Sequence, residues 1–332
     1  MPTTWYLVCP SRQLSANQPL PFRVEGERWV AFRDEQGQAR MVEDRCAHRF
    51  APLSAGKVVG GQIECPYHGW RYRGDGELAC VPALGPQTPP ACRVTSMRVL
   101  EQQGFVWATP ELSSAGAPPW FRHYGEAGWT SFVMHSTFQA SVEACLENFL
   151  DCPHATFVHR YWFRAPTAQP VRCVVRSLAD GAEAEYFEEP RKQSAVWTLL
   201  APAKGEMRHI DRFIAPATSQ VEYHFPNGLS YLITSHCTPL DADETAVTTV
   251  ISFRFARLGP LVRLFFQPLA RHILQQDITM LAQVAQTGRP RQPALTTEAD
   301  LLGPAIWRWR AALREGRPTP PAGEEKQVVI YL

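Results

Sequence analysis

Two short segments of this 332-residue chain each pair one thiol with one imidazole. Cys46-x-His48 lies in RCAHRFAPLSAG. Sixteen intervening residues later, Cys65-x2-His68 lies in ECPYHGWRY. A zinc site of two cysteines and two histidines more often groups like with like, the cysteines close together and then the histidines. Mixed pairs suit a two-iron, two-sulfide cluster in which cysteines hold one iron and histidines the other. A structural zinc site is the alternative. Gly56, Gly69 and Pro66 allow tight turns whose backbone N–H groups can point at sulfur.

A second constellation lies in ENFLDCPHATFVHRYW, residues 147–162, as Asp151-x2-His154-x4-His159. An iron site that activates O2 needs two imidazoles and a carboxylate on one face, with other positions open. On an unbroken helix of 3.6 residues per turn, the two imidazoles would point about 140° apart. Pro153 gives the helix a reason to end or bend between them. The plain alternative is a helix terminus with two ordinary hydrogen-bonded histidines. In HILQQDITMLAQVAQ, Asp277 shares a helical face with Ile273, Leu274, Met280, Leu281 and Val284. A carboxylate on an apolar face is costly unless it is paired, for instance with Arg271, or bound to metal. Asp151 and Asn148 also read as a helix-end carboxylate and a polar helix residue.

The elements that must position these residues fall into two groups. Short strands separated by Gly, Pro, Asn and Asp turns are expected at 4–8, 21–24, 28–33, 39–43, 57–64 and 97–108. PELSSAGAPPW, residues 110–120, marks a boundary, giving domains at 1–112 and 120–332. Beyond it a helix is expected over about 141–151, capped by Ser141. Strands follow at about 171–178, 183–188, 195–200, 208–215, 219–225, 229–237 and 246–256, with Asn227-Gly228 as a hairpin turn. A helix over about 261–286 ends at Gly288, and VVIYL closes the chain as a strand. The class is α+β, an all-β domain followed by a mixed one.

Thirty-three Lys+Arg against 32 Asp+Glu leave a net charge of +1, without the positive field that nucleic acid requires. No apolar run is long enough to span a membrane, and the N-terminus lacks the pattern of a secretory signal. Nine irregularly spaced cysteines suit reduced thiols and a cytoplasmic location. No G-x-G-x-x-G after a strand, P-loop or G-x-S-x-G occurs, so nicotinamide and flavin are not expected to bind. The histidines at 123, 135, 209, 224, 236 and 272 lack metal spacing. Cys152 reads as a small core residue, and Tyr161, Trp162 and Phe163 as cavity wall or aromatic core.

HRFAPLSAG, CPYHGWRY and the D-x2-H-x4-H segment resemble the oxygenase (alpha) subunits of Rieske non-haem iron oxygenases. The resemblance implies a Rieske [2Fe–2S] domain with Cys46, His48, Cys65 and His68 as cluster ligands. It implies a helix-grip catalytic domain with His154, His159 and Asp277 on a mononuclear Fe(II). It makes Asp151 a bridge between an iron histidine and a Rieske histidine of the neighbouring subunit, with Asn148 as a further active-site residue. It further implies O2 and a small, largely apolar organic substrate, a separate NAD(P)H-dependent reductase acting directly or through a ferredoxin, and a head-to-tail homotrimer. The chain's length favours a monooxygenase, hydroxylating or demethylating, over a ring dioxygenase or desaturase. An electron-transfer protein whose second domain only binds a partner is the competing expectation. Residues 151–159 and 277 argue against it.

Overall fold

The computed structural model describes residues 4–112, 116–160, 162, 169–187, 207–255, 259–288 and 295–332. Two compact units emerge. One holds Thr3–Trp120 together with Pro239–Ala242, and the other holds Phe121–Thr238 and Asp243–Leu332.

The first unit is all β. Six antiparallel strands, β1 (Tyr6–Pro10), β2 (Leu20–Val24), β3 (Glu27–Arg33), β4 (Ala39–Glu43), β9 (Ser96–Gln102) and β10 (Phe105–Thr109), run in the order β1-β10-β9-β4-β3-β2. Side chains alternate along a strand, so β3 and β4 feed two cores. Trp29, Ala31 and Met41 enter one. Val30, Phe32 and Val42 enter the other, where they pack with Leu53, Ile63, Tyr72 and the cysteines Cys46 and Cys65. Four short strands, β5 (Lys57–Val59), β6 (Gln62–Glu64), β7 (Arg71–Tyr72) and β8 (Leu78–Cys80), form a second sheet.

The expected single strands at 57–64 and 97–108 are each a hairpin. Gly60 and Gly61 turn the first at φ 55° and 70°, and Gln103 and Gly104 turn the second at φ 51° and 76°. At Gly61 a Cβ would lie 2.1 Å from the backbone nitrogen of Glu35, so close approach fixes that residue type.

The second unit is an eight-stranded antiparallel sheet with helices. Its order is β11 (Thr130–Phe138), β17 (Glu244–Arg254), β16 (Ser230–Asp241), β15 (Thr218–His224), β14 (Arg208–Ile214), β13 (Gly181–Phe187), β12 (Pro170–Leu178) and β18 (Glu325–Tyr331). The helices are α1 (Val142–Leu150), α2 (His154–Phe157), α3 (Gly259–Gln286) and α4 (Gly303–Arg314). Ser141 caps α1 by accepting from the Ala144 N–H, and Gly288 follows α3 at φ 72°. The sequence did not lead us to expect β11, α2 or α4, and the expected strand 195–200 lies outside the described residues. α4 packs Ile306 and Trp309 into the core that contains Leu146 and Leu150 of α1. It also sends Arg310 to Glu143 (2.9 Å) and the Trp307 indole N–H to Glu147 (2.6 Å). Among the described residues no helix is long and apolar enough to cross a membrane.

Candidate metal centres and substrate cavity

The loops carrying Cys46 and Cys65 close in the same way. In the first, the Phe50 N–H donates to the Cys46 carbonyl and the Cys46 N–H to the Ala51 carbonyl, both at 2.9 Å. In the second, Gly69 donates to Cys65 (3.1 Å) and Cys65 to Trp70 (2.8 Å). The fourth residue after each cysteine must then turn left-handed, with φ 59° at Phe50 and 72° at Gly69. Gly56 acts differently from the turn expected of it. Its φ of −90° suits any residue, but a Cβ there would lie 1.9 Å from the Glu64 carbonyl oxygen. Gly56 is the point at which the two cysteine-bearing segments touch.

Buried Asp44 pins the first loop from beneath, accepting from the Ser54 N–H (2.6 Å), the Ser54 hydroxyl (2.7 Å) and Arg28 (3.0 Å). Tyr72 reaches the same loop, its hydroxyl 3.2 Å from Cys46 Sγ and accepting from the Ala47 N–H at 3.1 Å.

The four donor residues segregate by type. The Cys46 and Cys65 thiols are close enough to interact. The His48 and His68 rings lie 4.6 Å apart by centroid. Ligands of one tetrahedral zinc, about 2.0–2.3 Å from the metal, would crowd around a single point. Among the described residues only His154, His159 and Asp277 gather three donor atoms within 4.8 Å of one another. His48 stacks on Trp70 at 4.5 Å and 2°, leaving Nδ1 buried without a hydrogen-bond partner. Paired cysteines, paired histidines and an orphaned imidazole nitrogen fit a [2Fe–2S] cluster and disfavour zinc.

The second centre is built by a helix that stops. α1 ends at Leu150, Pro153 opens the single turn of α2, and His159 lies beyond that turn. The rings of His154 and His159 therefore converge, 5.2 Å apart at 77°. Asp277, on the buried face of α3 with Phe266, Ala270 and Leu281, meets them. Its Oδ1 lies 3.1 Å from His159 Nε2 and 3.6 Å from His154 Nε2, yet makes no aligned hydrogen bond. Both Nδ1 atoms are held from behind, that of His159 by Gln276 Oε1 at 2.9 Å and that of His154 by the Asp151 carbonyl. Donation from Nδ1–H fixes the tautomer and leaves both Nε2 lone pairs facing Asp277, the pattern of metal-ligating histidines. Burial would raise the Asp277 pKa, but the two imidazoles hold it down at about 2. His154 is raised in turn, since Asp277 and Asp151 outweigh its burial.

Gln276 went unnoticed in the sequence although it stands in the quoted QQD; only the fold shows which glutamine faces His159. Asp151 is half-buried, and burial raises its pKa. Its carbonyl, rather than its carboxylate, holds His154. Asn148 lies on α1 with a buried amide nitrogen that has no hydrogen-bond partner. Met280, expected on the Asp277 face, is 40% exposed.

The triad opens into a cavity of about 140 Å³. Met134, Phe149, Val221, Ile233, Ile251 and Phe266 supply apolar wall, and Cys152 lines it while packing in the core. Asp211 is on this wall as well, outside the donor group, between Tyr186 and His209. Trp162 packs on the adjoining core and His272 instead of lining the cavity. Tyr161 and Phe163 lie outside the described residues. The other histidines find ordinary partners: Glu126 for His123, Thr248 for His135, Ser230 and Glu222 for His224, and Thr218 for His236.

Residues 4–103 match the Rieske [2Fe-2S] domain, and residues 138–316 match the vanillate O-demethylase oxygenase C-terminal domain. The chain belongs to the Rieske non-haem iron oxygenases. Its cofactors are accordingly a [2Fe–2S] cluster and a mononuclear iron. Among relatives, chlorophyllide a oxygenase of Chlamydomonas reinhardtii is 39% identical over 167 residues, 48% of this chain and 24% of that protein. Protein TIC 55 of Arabidopsis thaliana is 31% identical over 294 residues, 84% of this chain and 52% of that one. The chain thus spans about half or less of the length of the curated relatives it matches. The crystal structure of dicamba monooxygenase bound to 3,6-dichlorosalicylic acid shares the fold, with TM-score 0.80 at 21% identity over 94% of this chain and 97% of that one.

Proposed function

We propose that this Rieske oxygenase chain monooxygenates a small, largely apolar organic substrate, by hydroxylation or by oxidative removal of a methyl group. In this reading Cys46, His48, Cys65 and His68 hold the cluster in domain 1–112, and His154, His159 and Asp277 hold Fe(II) in domain 120–332. The iron supplies O2 activation, one oxygen atom entering a substrate C–H bond and the other leaving as water with two electrons and two protons. A separate NAD(P)H-dependent reductase, directly or through a ferredoxin, supplies the electrons, since the chain carries no nucleotide-binding motif of its own. A cytoplasmic head-to-tail homotrimer completes the reading, Asp151 bridging the iron histidines to the cluster of the next subunit, with Asn148 beside it.

One observation carries the proposal: two imidazoles with their Nδ1 atoms fixed turn Nε2 toward one buried carboxylate, at the edge of an apolar cavity. Those side chains would hold the metal, and they line the cavity.

The test is O2 uptake by the reduced protein against a panel of methoxy- and methyl-substituted aromatics, with product quantified. Reductase-dependent uptake matched by product, and abolished by Asp277→Ala with the visible cluster spectrum retained, is expected. Uptake unchanged in Asp277→Ala would remove the assignment.

A further inference from the structure

A rung of aromatic side chains crosses the inner face of the large sheet beside the iron triad. Tyr186 on β13, His209 on β14, Tyr223 on β15 and Tyr231 on β16 are successive cross-strand partners. The His209 ring is clamped between Tyr186 (4.4 Å, 15°) and Tyr223 (4.2 Å, 18°). Two residues along β14, on the same face, stands Asp211, only 2% exposed. Its Oδ2 accepts from the Tyr186 hydroxyl and its Oδ1 from His209 Nε2, both at 3.0 Å.

A carboxylate offers about four lone-pair sites, and these two bonds use one on each oxygen. Its directly paired neighbours on the sheet are Ala184 and Val221, which offer no side-chain donor. Asp211 also lines the cavity. Leaving acceptor capacity against an apolar wall is costly unless something fills it. Among the described residues, Asp151, Asp211 and Asp277 are the charged groups of that lining, with no Lys or Arg among them. Away from the iron proposed at Asp277, the charged groups of that lining are Asp151 and Asp211.

We infer that Asp211 is a specificity-determining residue, held rigid by Tyr186 and His209, which anchors the substrate through a hydrogen-bond donor and turns carboxylate-bearing molecules away. The substrate class is then an otherwise apolar molecule with one hydroxyl or protonated amine. This inference rests on the oxygenase reading, because it assigns a polar contact in the same cavity.

A matched series tests it: 4-methoxybenzyl alcohol, 4-methoxybenzylamine, 4-methoxytoluene and 4-methoxybenzoate, titrated calorimetrically into the iron-loaded protein without O2. A hydrogen bond to a buried charge makes the alcohol and amine bind about 10–100-fold tighter than the toluene, with benzoate weakest. Asp211→Leu should bring the alcohol down to the level of the toluene. Asp211→Asn keeps the shape and the fold, and should admit benzoate. A purely structural Asp211 would lower stability without reordering the series. Benzoate binding wild type as tightly as the alcohol, alcohol and amine failing to bind at millimolar concentration, or an unchanged order in Asp211→Asn would each overturn the inference. Failure of the oxygenase reading looks different: the probes bind in the expected order, but no O2 is consumed when electrons are supplied.

Discussion

Cys46–Ala51 and Cys65–Trp70 each close their own turn within six residues, whereas His159 and Asp277 meet across 118 positions of chain. The cluster loops orient their ligands with backbone hydrogen bonds, and their histidines face outward, His68 exposed. At the His154, His159 and Asp277 group the imidazoles are set by a side chain from another helix and by the carbonyl of a residue past a helix end, and His159 is 3% exposed. A local device depends on backbone space and tolerates little change of shape. A long-range device depends on helix packing and polar partners, so it can lose metal affinity while the chain stays folded.

The largest expected effect strikes the local device. Gly56→Ala puts a Cβ 1.9 Å from the Glu64 carbonyl oxygen, backbone against backbone, so the two loops must separate. We expect a loss of roughly 3 kcal/mol in the Rieske unit and a colourless protein, read by visible absorption and calorimetry. A normal cluster spectrum would mean that the loops can part without consequence.

Gln276→Leu probes the other device. Removing the acceptor behind His159 should weaken iron binding about 10–100-fold, measured by competition with a chelator, with the cluster spectrum untouched. Equal affinity would show that packing alone orients His159.

The packing that carries the triad should respond to acid. Glu143 on α1 is buried, which would raise its pKa, yet Arg310 (2.9 Å) and Arg314 (3.0 Å) hold it below its usual 4.5. A carboxyl lowered by folding contributes stability that is present above the unfolded value and lost as pH falls through the folded one. The catalytic unit should therefore lose melting temperature as pH drops below 4.5, with a shallower slope in Glu143→Gln. Identical slopes would deny the pair a role.

The smallest effects compare equivalent positions of the two loops. Gly69→Ala brings a Cβ to 3.0 Å from Pro82 Cγ at φ 72° and should cost about 1–2 kcal/mol. Phe50→Asn at φ 59° should change stability by less than about 0.5 kcal/mol, since asparagine accepts that backbone and the Phe50 ring is 64% exposed. Equal losses in thermal unfolding would mean that the Phe50 ring and its contact with Arg45 matter as much as the fit of Gly69 against Pro82.

Legibility in the sequence follows the same division. The cluster motif could be read because its ligands and turn residues are neighbours in sequence. The convergence of His154 and His159 could be argued from Pro153, since a helix that stops there frees the second histidine from the first one's face. Gln276, Asp44 and Tyr72 could not be read, because a polar residue's partner across the fold leaves no periodic mark. α4 was legible but passed over: Pro304 at its start, Ile306, Trp309 and Ala312 on one face, and Gly316 past its end are ordinary helix signals. The hairpins at 60–61 and 103–104 were absorbed into longer strands because their apolar runs continue on both sides of the turn.

The account rests on two metal centres with separate ligand sets, and iron counting in one variant tests that most directly. Wild-type protein should hold about three irons per chain, two in the cluster and one in the cavity. His159→Ala should hold about two, with the electron paramagnetic resonance signal of the reduced cluster unchanged in shape and intensity. A His159→Ala protein that keeps all its iron, or one whose cluster signal falls together with the cavity iron, would contradict it.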